Sequence, residues 1–176
     1  MNIVLVGYRG TGKSTAGKIL HERLGMRYIS MDDEIVRRAG MPVPAIVEKF
    51  GWPGFRDLES EIARELSQAD NVIIDAGGGV IERPENIDAL KNNARIFWLK
   101  AAVGTIVTRI QGCTERPSLT AGKTFTEEVA EVLEQRSGKY KAAADHEVDT
   151  DGLTPEQIAE KIISCWKSPQ GGNRQM

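Results

Sequence analysis

Short apolar runs alternate along the chain with longer segments in which apolar positions recur every three to four residues. Residues 2–6 form the first run, apolar and β-branched and stopped by Gly7, which predicts a strand buried on both faces. From Lys13 to about Leu24 the residues Ala16, Ile19, Leu20 and Leu24 fall at helical spacing, and Gly25 follows as a C-cap. Residues 27–31 read as a second strand. Asp32 and Asp33 then open a helical pattern that reaches Gly40, where an aspartate N-cap and the helix dipole both favour them.

Pro42 and Pro44 restart the chain into a helical stretch over 45–50, which Gly51, Pro53 and Gly54 interrupt before a longer amphipathic segment over 55–69. Further strands are expected at 72–75, 94–99 and 147–150, and further helices at 84–90, 103–110, 126–141 and 155–166. Strands alternating with helices at this spacing predict βαβ units. The expected fold is α/β, a three-layer αβα sandwich around a five-stranded, mostly parallel sheet. It should form one domain over 1–167, with a mobile lid at about 112–124, where apolar periodicity lapses, and a disordered polar tail over 168–176.

Composition narrows the function classes. The chain has 176 residues, 40% of them hydrophobic, which suits a single globular core. Its 23 Lys and Arg against 25 Asp and Glu leave a net charge of -2, with no sequence-wide footprint for nucleic acid or an anionic membrane. Any anion must be met by a local site. Cys113 and Cys165 lie far apart and outside any cluster, so a thiolate metal site is not expected and a reducing compartment is. With no secretory leader pattern and no apolar stretch of about 20 residues, the expectation is a cytoplasmic monomer.

The run Gly7-Tyr8-Arg9-Gly10-Thr11-Gly12-Lys13-Ser14-Thr15 carries the chemistry. It matches G-x-x-x-x-G-K-[ST] and falls between an expected strand and an expected helix, as a phosphate-binding loop must. Glycines let several backbone N–H groups turn onto one anion, and the helix N-terminus adds its partial positive charge. Lys13 supplies a mobile charge for the β- and γ-phosphates, and the Ser14 hydroxyl suits Mg²⁺. Gly10, Thr11, Gly12, Lys13, Ser14 and Thr15 are thus the expected ATP contacts, while the position of Arg9 is variable and is given no role. No guanine-specifying N-K-x-D segment follows, and the chain is short for a motor. A small-molecule kinase is the most economical reading.

Five further elements, in order, resemble the shikimate kinase family over nearly the whole chain: Ser30-Met31-Asp32, Phe55-Arg56-Asp57-Leu58-Glu59, Gly77-Gly78-Gly79, Arg116-Pro117 and Arg136-Ser137-Gly138-Lys139-Tyr140. The resemblance implies ATP-dependent phosphorylation of the shikimate 3-hydroxyl in aromatic amino-acid biosynthesis. It implies that Arg56 and Arg136 fork onto the substrate carboxylate, a task suited to guanidinium groups. It also implies that Asp32 holds the ring hydroxyls and takes a proton, and that Gly77, Gly78 and Gly79 admit the substrate closely. Arg116 resembles the lid residue that closes over the phosphates. Arg109 resembles the arginine that stacks on adenine, and Pro155 belongs to the loop covering its other face.

Two positions depart from the family pattern. Ser30 stands where the family commonly has the first aspartate of Asp-x-Asp, and Asp75 ends a strand where many members carry a small hydroxyl residue. Asp75 is therefore expected to hold a Mg²⁺-bound water, the alternative being a plain cap on the glycine turn. Pro53 stands just ahead of Phe55-Arg56 and is expected to alter how that helix presents Arg56. Rival readings are a kinase for another hydroxy acid such as gluconate, a nucleoside monophosphate kinase, and a non-catalytic nucleotide-binding protein.

Overall fold

In the computed structural model, residues 1–110 and 124–168 are described. Five strands form one sheet: β1 (Asn2–Val6), β2 (Arg27–Ser30), β3 (Val72–Asp75), β4 (Ala94–Lys100) and β5 (His146–Asp149), in the order β2-β3-β1-β4-β5 with every pair parallel. Seven described helices pack around it: α1 (Lys13–Leu24), α2 (Met31–Ala39), α3 (Val43–Leu66), α4 (Pro84–Lys91), α5 (Val103–Ile110), α6 (Phe125–Ala143) and α7 (Pro155–Lys167). The three-layer expectation is met, and the sheet is wholly parallel rather than mostly so. The expected lid, except Thr124, and the tail beyond Ser168 lie outside the described residues, and Arg116 with them.

The alternation of side chains along each strand sorts the core into two layers. Val4, Val6, Ile74, Ile96 and Trp98 pack with α2, α3, α4 and α6 on one face. Ile3, Leu5, Ile73, Phe97, Leu99 and Val148 pack with Ala16 and Leu20 of α1 and Ile158, Ala159 and Ile162 of α7 on the other. Burial on both faces is why these strands read as continuous apolar runs. A third, smaller cluster of Tyr8, Ile106, Ile110, Val129 and Val132 joins the loop after β1 to α5 and α6.

Two local expectations are corrected. The N-cap of α2 is Ser30, whose hydroxyl accepts from the Asp33 backbone N–H at 3.2 Å, so Asp32 and Asp33 lie inside the first turn and β2 ends one residue early. A serine caps as well as an aspartate. In α3, Gly51 has φ 69° and breaks the helix between its two halves, as the glycine and proline cluster predicted. Pro53 sits in the first turn after that break, where a missing N–H is harmless, so it does not disturb the turn that carries Arg56.

Candidate active site

All the expected substrate-side residues that are described converge at the carboxyl ends of β1, β2 and β3, the usual ligand edge of an open parallel sheet. The phosphate loop runs from β1 into α1. Gly7, Gly10 and Gly12 have φ values of 143°, 79° and 94°, conformations that a side chain would strain. Lys13 Nζ donates to the Gly7 and Tyr8 carbonyls at 2.9 and 3.1 Å, folded back over its own loop. Gly10, Gly12, Lys13, Ser14 and Thr15 line a cavity of about 250 Å³ together with Arg9, Asp32, Asp75 and Gly78.

Asp75, 6% exposed, accepts from the Ser14 hydroxyl at 2.5 Å and from the Tyr28 hydroxyl at 2.8 Å. Burial, and then the Asp75 charge, push the Tyr28 phenol well above its ordinary value. Asp75 is the register partner of Ser30 across β2 and β3. Its carboxylate points at the phosphate loop rather than capping the glycine turn. A hydroxyl and a carboxylate side by side are hard oxygen donors of the kind Mg²⁺ takes.

The residues expected to take the acceptor are held by α2, α3, α6 and the glycine turn. Arg56 Nη1 donates to Glu59 Oε2 at 2.7 Å, one turn further along α3. Arg56 and Glu59 are 14% and 0% exposed at the side chain, so the pair is no solvated surface pair. Asp57 instead bonds Arg83 at 2.8 Å. Burial raises the Glu59 carboxyl above its ordinary value, although Arg56 opposes the shift. A Cβ on Gly77 would stand 2.9 Å from Glu59 Oε1 and 3.0 Å from Asp32 Oδ1, and one on Gly79 would fall 2.0 Å from Arg56 Nη2. The turn is glycine because the charged groups lie against its backbone.

Arg136, in the middle of α6, donates to Glu82 Oε1 at 2.6 Å and to the Gly78 carbonyl at 3.2 Å. Its partner is not Glu131 or Glu134 on its own helix. Against the upward push of burial, Lys139 and Arg136 hold Glu82 below its ordinary value. Tyr140, stacked on Trp98 at 5.8 Å, also donates to the Gly78 carbonyl, so two α6 side chains clamp the middle glycine. Asp32 borders both the phosphate cavity and a neighbouring cleft of about 570 Å³ that runs past Ser30, Asp33, Val36 and Pro42.

Arg109 at the end of α5 donates to the Gly10 carbonyl at 3.2 Å and to Thr150 at 3.0 and 3.1 Å, tying the phosphate loop to the loop after β5. Pro155 opens α7 behind a capping box in which Thr154 and Gln157 bond reciprocally. Ile158 of that helix lies against Gly12. Tyr28 and Glu82 belong to no motif and carry no signal in the sequence, whereas Thr150 falls in the Asp149-Thr150-Asp151 loop that the resemblance sets beside the adenine. Glu59 was in plain view, inside the Phe-Arg-x-x-Glu run, and its burial is what marks it.

A phosphate loop on a parallel sheet, beside a glycine turn packed against two arginines and an aspartate, defines a P-loop kinase of small molecules. The comparisons narrow this class. The profile of the family described as shikimate kinase matches residues 9–167. The shikimate kinase of Thermodesulfovibrio yellowstonii is 39% identical over 171 residues, covering 97% of this chain and 98% of that one. The solved structure of the Acinetobacter baumannii shikimate kinase in complex with shikimate superposes with a TM-score of 0.89 at 31% identity, over 94% of this chain and 92% of that one. That of the Aquifex aeolicus shikimate kinase gives 0.81 at 30% identity, over 94% and 96%. The chain belongs to the shikimate kinase family.

Proposed function

We propose that the protein transfers the γ-phosphoryl group of ATP to the 3-hydroxyl of shikimate, giving shikimate 3-phosphate and ADP. The observation that carries this reading is the placement of Gly78 and Asp32. Both border the phosphate cavity, Gly78 accepts from Arg136, and Asp32 lies against Gly77 beside Glu59, the partner of Arg56, so two guanidinium groups suited to a carboxylate stand next to the phosphate loop.

The phosphate-loop N–H groups and the N-terminus of α1 take the phosphates, and Lys13 swings from its two carbonyl partners onto the β- and γ-oxygens. Arg56 and Arg136 each carry five N–H donors, so the groups not spent on Glu59, Glu82 and Gly78 fork onto the shikimate carboxylate. Glu59 and Glu82 fix the angles of the two guanidinium groups. Asp32 accepts from the ring hydroxyls and takes the proton of the one that attacks. Positioning supplies most of the rate, since the loose transition state needs little covalent help. Arg116 is assigned to the transferring phosphoryl group, and Arg109 and Pro155 to the adenine.

Ser14 and Asp75 are the residues that would hold Mg²⁺, directly and through water. When bound, the cation neutralises charge on the β- and γ-phosphates. The Ser14–Asp75 hydrogen bond and the oxygen chemistry of the pair fit such a cation. No described helix is long and apolar enough to cross a membrane, and the proposal is of a cytoplasmic monomer working on small molecules.

A coupled ADP-release assay over shikimate, gluconate and nucleoside monophosphates tests the reading. Release with shikimate alone supports it. Release with another acceptor makes this a kinase of different specificity, and no release with any makes it a nucleotide-binding protein.

A further inference from the structure

The phosphate-loop pattern leaves the position of Arg9 open, yet the structure gives this side chain three neighbours of interest. Its guanidinium carbon stands 5.3 Å from the centre of the Phe125 ring and 5.8 Å from that of Tyr8. Its Nη2 lies 3.6 Å from Glu128 Oε1, and the Glu128 side chain is only 4% exposed. Phe125 is the first residue of α6 and Glu128 lies in its first turn. Arg9 also lines the phosphate cavity beside Gly10, Lys13 and Ser14. Arg9 thus lines the phosphate cradle, and its guanidinium reaches the start of α6.

The chemistry of the group suits a link between them. A guanidinium has five N–H donors in a planar fork, so one edge can hold Glu128 while another donates to a phosphate oxygen. At 3.6 Å the ion pair is too long for a hydrogen bond, which leaves slack for movement toward an incoming polyanion. About two turns further along α6, Arg136 donates to the Gly78 carbonyl, and Tyr140 bonds the same oxygen. Gly78 borders the phosphate cavity too. Helix α6 therefore contacts two residues of the cavity wall, Arg9 from its first turn and Gly78 from its second half.

We infer that Arg9 is a positioning residue that couples the two substrate sites. A nucleotide in the cradle engages Arg9, Arg9 draws the start of α6 with it through Glu128 and Phe125, and α6 sets the angle of Arg136 for the acceptor. The inference rests on the reading of Arg136 as an acceptor-side group given under the proposed function. The coupling is reciprocal, so the acceptor must tighten nucleotide binding by the same factor.

Hydrogen exchange and equilibrium binding test it on the intact chain. In the wild type, ADP should slow amide exchange over residues 125–132 several-fold, and should tighten shikimate binding by roughly 5-fold or more, the usual floor for site-to-site coupling. In Arg9→Met, with folding checked by a melting curve, ADP should still bind but the slowing should vanish, and the shikimate affinity ratio should fall to about 1. Phe125→Ala, at a partly exposed helix start, should act in the same direction. Slowing that persists in Arg9→Met, or a wild type that shows none, overturns the inference. A wild type that binds ADP but not shikimate overturns the functional reading instead, while the exchange result still decides the role of Arg9.

Discussion

Ser14 of the phosphate loop donates its hydroxyl to Asp75 at the end of β3, and Tyr28 holds the same carboxylate oxygen from β2. Two segments are locked onto one buried carboxylate, carried by a third, beside the phosphate cavity. The first prediction concerns that carboxylate. Asp75→Asn keeps the shape but removes the charge, and should weaken the Mg²⁺ dependence of nucleotide binding by about 10- to 100-fold, as loss of an outer partner of a metal commonly does. Calorimetric titration of ADP with and without Mg²⁺ reads this directly. Unchanged Mg²⁺ dependence would return Asp75 to a structural role.

Arg56 should govern the acceptor and not the nucleotide. Arg56→Ala removes a charged, forked donor to the substrate carboxylate, worth about 1.5–3 kcal/mol, so the shikimate KM should rise roughly 10- to 150-fold. The ATP KM should move little. Arg56→Lys should rescue only part of the loss, because an ammonium cannot fork. Equal effects on both substrates would contradict the placement of the acceptor pocket.

Gly79→Ala probes the same pocket from the backbone. The new Cβ would fall 2.0 Å from Arg56 Nη2 and 2.1 Å from Cζ and Nη1, so the guanidinium must move. Since the obstacle is the end of a flexible side chain, the fold should survive, with Tm lowered by only a few degrees, about 2–4 °C per kcal/mol for a chain of this size. Turnover with shikimate should drop by up to about 100-fold, the cost of roughly 1 Å of misplacement. Kinetics and a melting curve on one preparation separate the two effects.

Acid stability should involve Glu34. Hydrogen bonds from Arg37 and then Arg38 hold its carboxyl down at about 2, from an ordinary 4.5. A depressed folded value means that the contribution is complete above about pH 4.5 and is lost as pH falls toward 2. Glu34 is 22% exposed but its partner Arg37 is 69% exposed, so solvent screens the pair; Glu34→Gln should lower Tm at pH 7 by no more than roughly 2–4 °C, and the gap should close near pH 2. Melting curves across that range check the sign.

The fold was legible in the sequence because strands such as Val72–Asp75 are buried on both faces and read as unbroken apolar runs, while Gly51 with φ 69° broke α3 where glycine and proline cluster. The phosphate loop was equally plain, since only glycine tolerates its backbone angles. Less was legible where a role depends on burial or on long-range neighbours. Arg56 next to Glu59 reads as a surface pair, and only the packing of α3 against the glycine turn makes it a buried one. Arg136 has two glutamates on its own helix, yet its partner is Glu82, brought in by the turn after β3. Ser30 could be read as a missing carboxylate. Its local duty is to cap α2, and its register partner across β2 and β3 is Asp75, a pairing that no reading of either run alone shows. Arg9 gave no signal, because its neighbours Phe125 and Glu128 lie more than a hundred residues away.

Shikimate held by two arginines beside the phosphate loop should receive the phosphoryl group on one particular hydroxyl. Phosphorus NMR of a reaction containing ATP, Mg²⁺ and shikimate tests it most directly. A single new phosphomonoester at the 3-position, formed in step with ADP, is the predicted result. ADP formed with inorganic phosphate instead, or a phosphate on another hydroxyl, would contradict the account.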